Sequence, residues 1–123
     1  MKSDNKNSEL AQIVFRAMSS RDLSIAEPFM NNDVVLDFPG SGRIEGHKRV
    51  IIFIKALLRR YPSLTFTIKD VITDKDRACT VWTNKGMHPD GSPYENSGIT
   101  LFHFSGGKIT LMSDYFKDTS FIN

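Results

Sequence analysis

At 123 residues the chain is sized for one domain, burying roughly two-thirds of its unfolded surface without disulfides or metal to hold it together. An apolar share of 40%, a charged share of 24% and a net charge of +2 exclude a disordered chain and a strongly basic nucleic-acid binder. No apolar run approaches the roughly 18 residues of a membrane span, so no membrane partner is expected.

The opening MKSDNKNSE is polar and has no apolar signal segment. Residues 1–7 are therefore expected to be frayed, residues 8–123 to form one domain, and the protein to be cytoplasmic. Leu10, Ile13, Val14, Ala17 and Met18 recur at helical spacing, which predicts a helix from Glu9 to Ser20 capped by Asn7 or Ser8. Asp22 caps a second, short helix with Leu23, Ala26 and Met30 inward, tightened by Pro28. Asn31-Asn32-Asp33 turns the chain into a strand over Val34 to Phe38, which Pro39-Gly40-Ser41-Gly42 breaks. From Gly46 a third helix carries Val50, Ile54, Leu57, Leu58 and Tyr61 on its apolar side, and Pro62 stops it.

Lys48, Lys55 and Arg59 share one face of that helix, flanked by Arg49 and Arg60. No aromatic residues are interleaved for base stacking, so this reads as a solvated face and no nucleic-acid partner is expected. Four strands follow, Leu64–Thr73, Ala78–Met87, Tyr94–Phe104 and Lys108–Phe116. The links Asp74-Lys75-Asp76, His88-Pro89-Asp90-Gly91-Ser92 and Ser105-Gly106-Gly107 are turn chemistry, which predicts an antiparallel meander. Helices first and a sheet after them give an α+β domain whose three helices cover one sheet face.

Two apparent motifs fail on spacing. Gly40, Gly42 and Gly46 are one residue too widely spaced for a dinucleotide-binding turn, and no parallel βαβ unit follows. His47, His88 and His103 lack ligand spacing. No metal and no cofactor is expected. Cys79, the single cysteine, reads as a buried thiol, and His103 as a residue of the outer sheet face.

Two acids sit in apolar company. Asp37 lies between Leu36 and Phe38, and Asp114 alternates with Met112 and Phe116. A carboxyl in an apolar site has its pKa raised, as a general base at neutral pH requires. The other reading is structural, with each acid bonded to a turn or paired with Arg43 or Arg49.

The succession VVLDFPGSGRIEGH before the third helix, DGSPY, and FSGGKI before a final DYF resembles the nuclear transport factor 2-like superfamily, above all its SnoaL-like polyketide-cyclase branch, from Ser8 to Asp118. That resemblance implies a cone: a strongly bent, mostly antiparallel sheet wrapped around three helices, with a pocket inside. On the ketosteroid-isomerase branch Asp37 falls on the general base. The oxyanion tyrosine falls on Val14 or Phe15, and the neutral aspartic acid on Thr100, so steroid isomerisation is not implied. Asp114 resembles the pocket base of the SnoaL-like cyclases. The limonene epoxide hydrolase branch needs an arginine that the Tyr94–Phe116 strands lack.

The resemblance thus implies a small-molecule ligand, apolar or carbonyl-bearing, in a pocket where Asp37 and Asp114 meet as candidate catalytic acids. Its walls are expected from Thr100, Phe102, Met112 and Phe116, with Tyr94 and Asn96 towards the mouth and Trp82 near it, and Thr100, Asn96 or Tyr94 as donor to a developing enolate. Strand parity leaves open whether Trp82 and Asn84 or Val81 and Thr83 point inward. A homodimer is expected through an outer face carrying Ile99, Leu101, His103 and Leu111. The competing class is a non-catalytic ligand-binding or dimerisation module of the same fold.

Overall fold

The structure, a computed structural model, describes residues 2–120; Met1 of the expected frayed start and residues 121–123 of the expected domain lie outside them. The first helix, α1, spans Lys2–Ser20, starting a full two turns earlier than its apolar pattern suggests. Asn7 is inside the helix rather than capping it: it is buried, and its Nδ2 donates to the Lys75 carbonyl at 2.9 Å. Tertiary bonding has overridden its weak helix propensity. Two more bonds lay α1 along the sheet, Thr80 Oγ1 donating to the Ala11 carbonyl at 2.6 Å and the Phe66 amide donating to Ser19 Oγ at 2.9 Å.

Asp22 caps as expected, accepting from the Ser24 amide at 3.1 Å, but the short second helix is two 3-10 turns, Leu23–Ile25 and Glu27–Phe29. Pro28 near the start of the second turn and the brief apolar pattern leave too little for an α-helix. Arg21, in the left-handed region at φ 64°, sends its guanidinium to the carbonyls of Leu58 and Tyr61 at 3.0 and 3.2 Å. Those are end carbonyls of the next α-helix, α2, which spans His47–Arg60. No helix among the described residues is long and apolar enough to cross a membrane.

Six strands form one sheet: β1 Met30–Phe38, β2 Gly42–Glu45, β3 Thr65–Asp74, β4 Arg77–Met87, β5 Pro93–Ser105 and β6 Lys108–Phe116. Their order is β2-β1-β6-β5-β4-β3, antiparallel throughout except where β1 runs parallel to β6. The meander is as predicted. The short β2, within the segment read as a loop, is the addition: it folds back on β1 with Asp37 opposite Arg43. Four residues that are mostly polar and exposed carry no alternation that could announce a strand.

The helices cover the concave face of this sheet. Along β4 the inward residues are Ala78, Thr80, Trp82 and Asn84, which settles the open parity in favour of Trp82 and Asn84. Cys79 consequently falls on the outer face, half-buried rather than buried. Register shifts interrupt β3, β6 and β1, as a bent sheet requires. The tightest point is Gly98 on β5, between Trp82 and Phe116, where an added Cβ would collide with the Tyr115 carbonyl oxygen. Gly98→Ala is expected to lower stability by about 1–3 kcal/mol, as overpacking against a backbone does, read as a fall in urea midpoint at unchanged m value.

Candidate active site

The concave face and the two helices do not meet everywhere. Between them lies an apolar cavity with about 50 Å³ open to the centres of water-sized molecules. Its helical wall is Val14, Phe15 and Met18 from α1 and Ile54 and Leu57 from α2. Phe15 meets Phe66 at 5.2 Å and Phe102 at 6.1 Å between ring centroids, and Phe116 meets both Trp82 and Phe38 at 5.3 Å. These rings pack edge-to-face or tilted against one another around the cavity.

One ionisable carboxyl enters this space. Asp114 on β6 sits directly across from Thr100 on β5, both on the concave face. Thr100 Oγ1 donates to Asp114 Oδ1 at 2.5 Å and accepts from Trp82 Nε1 at 3.0 Å. Because the indole can only donate, it orients the threonine hydrogen toward the carboxylate. Among the described residues Asp114 receives no other hydrogen bond. Burial pushes its pKa up to about 7, the Thr100 bond opposes the rise, and the charge of Asp37 adds to it.

Asp37 itself is elsewhere. Leu36 and Phe38 are the buried, inward residues of β1 and both line the cavity, so Asp37 between them points to the opposite face, half-buried beside Ser113 and Arg43 in the strand register. The expected meeting of two acids in one pocket is therefore not formed. Asp37 influences Asp114 only as a charge behind the sheet.

The other candidates divide. Trp82, Thr100, Phe102, Met112 and Phe116 line the cavity, and so does Tyr94 at the end where its ring packs 4.7 Å from Tyr61. Asn96 does not line it. Its Nδ2 donates to the Tyr94 hydroxyl at 3.2 Å and to the Asp118 carbonyl at 2.9 Å, and its Oδ1 accepts from the amides of Ser97 and Asp118, so its bonding capacity is used internally. Burial raises the Tyr94 pKa, keeping the phenol neutral, with the Asn96 bond opposing. Val14 and Phe15, the positions aligned with an oxyanion tyrosine, do face the cavity and make that wall apolar.

Tyr61 and Asn84 also line the cavity, although the sequence did not mark either as a site candidate. Tyr61 read as one more apolar position of the helix, and Asn84 followed from Trp82 once the parity of β4 was known. Among the described residues no group of three or more His, Cys, Asp or Glu could hold a metal.

A bent, mostly antiparallel sheet with helices over its concave face, and an apolar cavity between them that Asp114 lines, is the architecture of the nuclear transport factor 2-like fold. The chain belongs to the SnoaL-like domain family, whose profile matches residues 11–112. Among solved structures it is similar to a candidate SnoaL-like polyketide cyclase from Jannaschia sp. CCS1, at 18% identity and a TM-score of 0.85, with 93% of this chain and 87% of the other covered. A candidate isomerase from Bacillus subtilis is 25% identical at a TM-score of 0.83, covering 95% and 90%. TerC, co-crystallised with polyporic acid, is 20% identical at a TM-score of 0.84, covering 94% and 95%. Comparison with the curated proteins gave no match.

The Asp114 pKa carries a stability consequence of definite sign. The folded chain keeps this proton up to about pH 7, whereas an unfolded aspartate releases it near pH 3.9. The contribution of Asp114 is therefore most favourable below about pH 4, declines as pH rises towards 7, and is flat above. Asp114→Asn, whose amide oxygen can still accept from Thr100, is expected to lack this decline and to match or exceed the wild type by on the order of 1 kcal/mol at pH 8. Urea denaturation at pH 5 and pH 8 reads both.

Proposed function

We propose that the protein binds a compact, mostly apolar carbonyl compound in the cone and removes a proton alpha to its carbonyl, with Asp114 as general base. The observation that carries this reading is a carboxyl held by one hydrogen bond inside an apolar cavity, with its pKa near 7. At neutral pH such a group is about half ionised, and its second oxygen is available to a substrate.

The surroundings limit the chemistry. The Thr100 hydroxyl hydrogen is committed to Asp114 and the Asn96 amide to Tyr94 and Asp118, so neither can stabilise a developing enolate. Tyr94 keeps a neutral phenol, but stands six residues along β5 from Thr100. Without an oxyanion hole beside the base, the substrate must supply its own acidity, as the methylene between two carbonyls does. The cavity is smaller than the roughly 150 Å³ that holds a benzene ring, so a cyclic ligand enters by repacking its flexible wall residues, Met18 and Met112.

Exchange of the methylene protons of ethyl acetoacetate in D₂O, followed by NMR, tests the base. The wild-type protein is expected to accelerate exchange with a rate that rises through an apparent pKa of about 7. Asp114→Asn is expected to lose at least about 100-fold of that acceleration, whereas Asp37→Asn keeps most of it. Binding without exchange would leave the second reading, a ligand-binding module, which the filled hydrogen bonds of Asn96 and the apolar Val14 and Phe15 favour.

The outer sheet face supports a homodimer. Ile72, Ile99 and Tyr115 are 58%, 37% and 55% exposed there, with Leu101, His103 and Leu111 half-buried among them. Sedimentation velocity at micromolar concentration is expected to show a dimer that Ile99→Glu shifts to monomer.

A further inference from the structure

Asn84 follows Trp82 on the concave side of β4, lines the cavity, and is only 9% exposed. Among the described residues its Oδ1 is the one buried side-chain oxygen or nitrogen without a hydrogen-bond partner. A buried acceptor left unpaired carries a desolvation penalty, so native structures keep few of them and usually for a reason of function. Asn96, its cross-strand partner on β5, is by contrast bonded through both its amide nitrogen and its oxygen.

We propose that Asn84 Oδ1 recognises a hydrogen-bond donor on the ligand, so that the preferred molecule is a hydroxy- or amino-substituted carbonyl compound rather than a purely hydrocarbon-like ketone. The donor belongs at the end of the ligand remote from Asp114. Thr80 on β4 lies opposite Thr100, which lies opposite Asp114, and Asn84 is four residues further along β4. That is roughly 13 Å along the strand, with two strand spacings of about 5 Å each between β4 and β6. Asn84 and Asp114 thus serve different ends of the cavity, and a molecule the size of cyclohexanone meets Asn84 without having to reach the acid. The inference rests on the cavity being a ligand site, but not on Asp114 acting as a base.

Paired probes of matched shape test it: 4-hydroxycyclohexanone and 4-methylcyclohexanone, titrated calorimetrically. The wild type is expected to bind the hydroxy ketone at least about tenfold more tightly, as loss of a partner for a buried polar group implies. Asn84→Leu is expected to reduce that preference to less than about twofold, whatever its effect on the affinity common to both ketones. Should this variant not fold, the side-chain carbonyl ¹³C resonance of Asn84 in the wild type serves instead, shifting with the hydroxy ketone and not with the methyl ketone. Equal affinities, no binding of either ketone, a preference that survives in folded Asn84→Leu, or an unmoved Asn84 resonance overturns the proposal. Acetoacetate exchange reads Asp114 alone, so a hydroxyl preference without exchange overturns the base and spares Asn84, and the converse result does the reverse.

Discussion

The hydrogen bond from Thr100 to Asp114 ties the register of two strands to the ionisation of the one carboxyl among the cavity's described lining residues. Ionising a carboxyl among phenylalanines and methionines is unfavourable, and a single hydroxyl offsets only part of that penalty. Two further bonds to Asp114 would return its pKa towards the ordinary carboxylate range. The indole of Trp82 matters for the same reason, since it fixes the direction of the hydroxyl without touching the acid. The site is tuned by how few donors it offers.

That arrangement depends in turn on the bend of the sheet. Thr100, Trp82 and Asp114 come from three adjacent strands, and they converge because the concave side is curled inward. The close approach of β5 to β6 at Gly98 leaves no room for a side chain. The opposite wall is held by α1, whose anchoring through Asn7, Ala11 and Ser19 sets the position of Val14, Phe15 and Met18 over the opening. A helix held only by apolar contact could slide along such a face and close it.

Much of this was legible in the sequence, and the failures have a common cause. Periodicity located α1, α2 and the four-strand meander, and alternation with Met112 and Phe116 put Asp114 on the inner face. At Asp37 the expectation rested on its immediate neighbours instead, and apolar neighbours on both sides of a strand residue place it opposite them, not among them. Composition around a residue and the direction of its side chain are different quantities, and only a partner strand fixes the second. β2 was invisible because its four residues derive their conformation from β1 rather than from their own pattern. The filled bonding of Asn96 and the empty acceptor of Asn84 could not be told apart, since two asparagines on one inward face look identical until the C-terminal segment at Asp118 is seen to lie against only one of them.

The parallel pairing of β1 with β6 bears on how the chain is made. β1 leaves the ribosome well before β6, yet apart from the short β2 that later strand is its only neighbour in the sheet among the described residues. Until β6 emerges, the β1–β2 hairpin must keep Val34, Leu36 and Phe38 from finding other partners, with α2 alone to cover them. So non-local a pairing slows folding and lengthens the exposure of an unpaired edge. During synthesis the strand that forms one wall of the cavity is thus the one that waits longest in the chain for its sheet partner.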